Sequence, residues 1–267
     1  MFTVIRCEHQ RKGLAKFLIR RKYYFDVVCE DELRFMQLLL NDKENIDWER
    51  IRQILGHNRG DVIAEEGIVI PGDSGIIPFD MAYYRRRLAC NAAAILLRQM
   101  SASGKELKAA LVDPEAAALE EARMLLSCCS RLQVLTSRRE AYEAAFSGSQ
   151  RIRFADRIDG DENLLLIPVL TRTFADSVTE RVRPLAIVGC SVDGAVLPGT
   201  VLTDFYALLP QKYIEYIPPK IEPAVFSAAF SSCCRKSGAE GVVPDCCSML
   251  VDGRIVAREI DFRRQIL

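Results

Sequence analysis

Short apolar segments alternating with helical patterns through the middle of the chain predict an α/β protein: a Rossmann-like, mostly parallel sheet preceded by a small ferredoxin-like α+β domain. Three observations carry this expectation. From Leu107 to Ala155 the chain reads strand, helix, strand, helix, strand, and each strand is short and uniformly apolar, as strands covered on both faces are. Residues 1–66 read instead as β-α-β-β-α-β, the order of a split βαβ unit. Between the two, Gly67 to Pro78 gathers Pro71-Gly72, Asp73, Ser74 and Gly75, turn-forming residues that mark a linker. The domain limits expected are therefore 1–66 and 79–267.

The elements follow in order. Phe2 to Cys7 is a strand. Gln10 to Lys22 is a basic amphipathic helix with Leu14, Phe17 and Leu18 on one face. Tyr24 to Cys29 and Leu33 to Leu40 are strands around the Glu30-Asp31 turn. Asp47 to Leu55 is a helix stopped by Gly56, and Asp61 to Ala64 is a fourth strand. A linking helix, 79–100, has an alanine-rich second half that could pack against another helix in this chain or in a second one. The central strands are Leu107 to Val112, Leu132 to Leu135 and Ile152 to Ala155, continued by Leu164 to Ile167 and Leu185 to Val188. Asp113 reads as the cap and Pro114 as the first residue of a helix running to Cys129. Ser137 reads as the cap of the helix Arg138 to Phe146. The Asp-Gly pairs at 193–194 and 252–253 are hairpin signals, and Pro223 to Lys236 is a helix.

Composition excludes several classes of function. A chain of 267 residues buries enough surface to fold without disulfides or a structural metal. Lys and Arg number 36, as do Asp and Glu, so no overall field draws the protein to nucleic acid or to a membrane. The longest apolar run, Leu88 to Leu97, is roughly half of what a bilayer span requires. The N-terminus lacks the pattern of a secretory leader, so the ten cysteines are expected as reduced thiols of a cytoplasmic protein. His9 and His57 are the only histidines, too few for a multi-histidine metal centre.

The candidate site lies on the turns that follow the central strands. A dinucleotide fold needs glycines after its first strand so that the backbone can approach a pyrophosphate. Here the turn is Leu111-Val112-Asp113-Pro114-Glu115-Ala116-Ala117, without a glycine and with two added negative charges. The second turn carries Thr136, Ser137, Arg138 and Arg139, about 20 residues further on, where such folds meet the adenine ribose. Arginines at that place accommodate a 2′-phosphate. The stretch Val134-Leu135-Thr136-Ser137-Arg138-Arg139-Glu140-Ala141 resembles the strand–Asn-Arg-Thr–helix turn of shikimate-dehydrogenase-like NADP domains. That resemblance implies a Rossmann domain with NADP as cofactor and Ser137, Arg138 and Arg139 as phosphate contacts. It stops at the glycine loop, and the family's catalytic Lys/Asp pair has no counterpart here. Asp113 and Gly189, at the ends of two further strands, complete the candidate set.

Other clusters are weaker. Cys233-Cys234 and Cys246-Cys247 lack the C-x2-C spacing of a zinc site, which leaves core packing as the plainer reading. Arg11, Lys12, Lys16, Arg20, Arg21 and Lys22 on the first helix, and Tyr83-Tyr84-Arg85-Arg86-Arg87 on the linking helix, read first as solvated faces. Two functional readings result. The larger domain binds a nucleotide or another small phosphorylated ligand non-classically, or the protein is a non-enzymatic protein or nucleic-acid adaptor that uses its basic N-terminal helix. No reaction is assigned by the residues.

Overall fold

Alternation of side chains builds the first sheet. In β1 (Phe2–Cys7) and β3 (Leu33–Leu40), Phe2, Val4, Leu33 and Phe35 belong to one buried cluster, and Ile5, Cys7, Met36, Leu38 and Leu40 to another. Successive strand residues face opposite ways, so each cluster is one face of the sheet. The computed structural model describes residues 1–7, 23–41, 43, 46–101, 106–156, 164–167, 186–189, 200–206, 209–233, 246–251 and 254–257. The expected basic helix, His9 and the Asp-Gly turn at 193–194 lie outside these residues. So do Cys234 and the side chains of Cys246 and Cys247.

The first sheet has the order β2-β3-β1-β4, with β2 at Tyr23–Glu30 and β4 at Val62–Ala64. One face packs on α1 (Trp48–Leu55) through Ile51 and Leu55, and Asp47 caps that helix by accepting the Arg50 amide at 2.9 Å. The other face packs on α5 (Pro223–Cys233), where the Phe226 ring meets Phe2 and Phe35 edge-on at 5.3 and 5.2 Å. The strand order is that of a split βαβ unit, but β1 runs parallel to both β3 and β4 and hence opposite to β2. A βαβ crossover between first and second strands demands that those two run the same way. The sheet is therefore not ferredoxin-like, and it draws a helix from late in the sequence onto one face.

The chain divides into two units, Met1–Met81 with Leu208–Ala239, and Ala82–Ala207 with Glu240–Leu267. The second contains α2 (Met81–Ser101) and an eight-stranded sheet of order β12-β11-β10-β9-β8-β5-β6-β7. Its strands are β5 (Lys108–Val112), β6 (Arg131–Leu135), β7 (Ile152–Phe154), β8 (Leu164–Ile167), β9 (Ala186–Gly189), β10 (Thr200–Tyr206), β11 (Cys246–Val251) and β12 (Arg254–Ala257). Strands β5 to β10 are all parallel. Counted from β5, their order is 3-2-1-4-5-6, the doubly wound arrangement that reverses direction between its first and fourth strands. Strands β11 and β12 add an antiparallel hairpin in which Val251 faces Arg254, as the Asp-Gly signal at 252–253 leads one to expect.

The linking helix is packed along most of its length. The linking helix buries Leu88, Ala89, Ala92, Ala93 and Leu97 completely, so its alanine face is covered within the chain rather than open to a second copy. Its Tyr-Tyr-Arg-Arg-Arg segment is also engaged. Arg86 and Arg87 lie 3.4 and 3.6 Å from buried Glu121 on α3 (Leu119–Leu126), and both guanidinium groups face the Tyr83 ring. No helix among the described residues is long and apolar enough to cross a membrane.

Candidate functional site

Parallel strands deliver their C-terminal ends to one edge of the sheet, and the turns there are where doubly wound folds take ligands. Asp113 follows β5, Thr136 to Arg139 follow β6, and Gly189 ends β9. β8 alone separates β5 from β9, so Asp113 and Gly189 stand about two strand spacings apart, on the order of 10 Å. The five residues singled out from sequence thus share one edge.

Asp113 does not initiate a helix at Pro114. Helix α3 begins at Leu119 with Ala118 at its cap position, and residues between them form turns in which Ala116 takes a φ of 55°. The cause is the Asp113 carboxylate. It is 3% exposed, and it accepts the amides of Ala117 at 3.0 Å and Ala118 at 2.9 Å. Those amides lead into α3, where a dinucleotide fold would present free donors to a phosphate. The third partner is the Tyr142 hydroxyl, which donates to the same carboxylate at 2.7 Å from the buried face of α4 (Arg139–Ala145). Burial, then the neighbouring Asp113 charge and its hydrogen bond, push the Tyr142 phenol far above its ordinary range. The chain's own carboxylate thus takes the amides that open this helix.

The second turn is built around a carbonyl. Pro114 O accepts from the Ser137 hydroxyl at 2.6 Å, the Ser137 amide at 3.2 Å and the Thr136 hydroxyl at 3.3 Å. Ser137 therefore joins the two turns and does not cap α4, whose cap position is held by Arg138 without a side-chain bond. The Thr136 hydroxyl accepts the Arg138 amide at 3.1 Å instead.

The two arginines differ. Arg139 binds Glu143 at 2.8 Å and lies 4.8 Å over the Phe154 ring, which holds it along its own helix. Arg138 reaches exposed Glu115 at 3.8 Å, and both side chains are mostly in solvent. Such a pair is weak, so the guanidinium can turn to another anion at little cost. Reading the sequence alone missed Tyr142, and took Glu115 only as a negative charge on the first turn. A tyrosine on the inner face of a short helix is a detectable signal, because its buried hydroxyl needs a partner.

His57 is exposed in the 3-10 turn Gly56–Asn58. Cys129 is buried, and burial raises its thiol to about 11, which suppresses the reactive thiolate.

No family model matches this chain, and no curated protein does. Among solved structures it is similar to L-tryptophan dehydrogenase from Nostoc punctiforme, at 15% identity and a TM-score of 0.33, over 58% of this chain and 51% of that one. It is also similar to HcgC from Methanococcus maripaludis, cocrystallized with SAH and pyridinol, at 8% identity and a TM-score of 0.32, over 55% of this chain and 61% of that one. The chain thus matches between about half and three fifths of the length of these proteins.

Proposed function

We propose that the larger unit binds a small phosphorylated ligand, a nucleotide or a simpler phosphate, at the C-terminal edge of its parallel strands. Arg138 is the principal cation in this reading, Arg139 extends the positive edge, and Ser137, Gly189 and Asp113 shape its floor. NADP would bind through its 2′-phosphate and not through its pyrophosphate. One observation carries the reading: the 3-2-1-4-5-6 order puts the direction reversal between β5 and β8, and the arginine turn lies one strand away. The self-occupied turn after β5 supports the further statement that binding is non-classical. No reaction is part of this proposal.

A thermal-shift series with NADP, NAD, ATP and inorganic phosphate tests it. A ligand at 100 times its dissociation constant stabilises by about 2.7 kcal/mol, a readily measured change in Tm. The 2′-phosphate of NADP is expected to stabilise more than NAD does, and Arg138→Ala is expected to abolish the difference. Absence of any shift at millimolar ligand would contradict the proposal.

A further inference from the structure

The smaller unit holds a cavity of its own. It is about 620 Å³, within the range of small-molecule sites. Its apolar wall is Ile63 and Ala64 of β4, Ile221, and Val225 in the first turn of α5. A second cavity of about 230 Å³ shares Ile63, Ala64 and Val225 and continues the apolar surface to Ile68, Ile70 and Phe79. The polar wall is Glu66, Lys220 and Glu222. The space is therefore two-ended, with a charged mouth beside an apolar recess.

The charges at the mouth select the ligand. Lys220 is shared between the interior and the mouth: its ammonium lies 3.1 Å from Glu65, a carboxylate 1% exposed that also takes Lys43 at 2.8 Å and the Cys7 amide at 2.8 Å, while its own side chain is 42% exposed. The backbone of Lys220 has a φ of 65°, a conformation that non-glycine residues rarely hold without surrounding support. Lys43, which also donates to the Glu66 carbonyl at 2.8 Å, and Lys220 oppose the carboxylates of Glu65, Glu66 and Glu222, three negative charges against two positive. An incoming carboxylate adds to that excess, whereas an incoming ammonium balances it and finds acceptors in Glu66 and Glu222.

We propose that this cavity is a binding site for a primary amine with an apolar body, its ammonium between Glu66 and Glu222 and its body against Ile63, Ala64 and Val225. The site lies within one unit and is independent of the phosphate-binding reading.

Titration of the full chain by NMR or calorimetry tests it, with 2-phenylethylamine, its N-acetyl derivative and 3-phenylpropionate as probes. The amine is expected to bind, and the acetylated and carboxylate probes to bind about tenfold or more weakly, since each loses a charge-assisted hydrogen bond. Glu66→Gln with Glu222→Gln changes two exposed side chains and should weaken the amine about tenfold while leaving Tm unchanged. Equal binding of all three probes, no binding of the amine, or amine binding unaffected by the double substitution would each overturn the site.

Discussion

At the scale of the residue, Asp113 is the most informative position in the chain. One carboxylate holds two backbone amides and a tyrosine hydroxyl; the bonds from Ala118 and Tyr142 are buried, and that from Ala117 is part-buried. Replacing it with alanine strands the Tyr142 hydroxyl and the Ala118 amide together. Asp113→Ala is therefore expected to destabilise by about 2–4 kcal/mol, read by urea unfolding. Tyr142→Phe removes one bond and leaves no buried donor unpaired, so about 1–2 kcal/mol is expected. Equal costs for the two would mean that the amides contribute nothing. The sequence made Asp113 legible as a capping residue, because Asp before Pro is a capping signal. It concealed that the carboxylate reaches amides beyond the proline, since that depends on the left-handed turn at Ala116. Ser137 shows the same limit from the other side. Its hydroxyl could cap its own helix, and only the arrival of the Pro114 carbonyl from the turn after the neighbouring strand decides otherwise.

Elements are joined by buried charges that periodicity cannot reveal. Glu65 follows β4, accepts an amide from β1, and binds Lys43 and Lys220, the latter close before α5. Burial alone would raise its carboxyl. The hydrogen bonds from Lys43, Cys7 and Lys220 outweigh that cost, so the folded value lies below the ordinary 4.5. A carboxyl depressed by folding stabilises the native state above its unfolded value and loses that contribution as pH falls from 4.5 through the folded value. The acid limb of a stability–pH curve should therefore carry a Glu65 component, and Glu65→Gln should flatten it while lowering stability near neutrality. An acid limb of unchanged shape would contradict this. Strand positions were legible because short apolar runs bounded by turn residues leave few alternatives. Strand direction was not. Nothing in Phe2–Cys7 states that it lies parallel to Leu33–Leu40, and the ferredoxin-like expectation fails on that point alone.

Over the whole molecule, the sequence order of the central strands translated directly into a parallel sheet, because each helix that follows a strand returns the chain to start the next in the same direction. The α5 segment did not. It follows the last parallel strand in sequence yet buries Phe226 and Phe230 against the first sheet, in the unit formed by Met1–Met81 with Leu208–Ala239. All residues of the candidate site belong to the other unit. Its central claim is that Asp113 fills the first phosphate position and leaves Arg138 to read a single phosphate. Calorimetric titration of NADP and of adenosine 2′,5′-bisphosphate tests that claim most directly. Dissociation constants within about threefold of each other are predicted, since the nicotinamide half and its pyrophosphate would add no contact. NADP binding tenfold or more tightly, or neither compound binding at all, would contradict it.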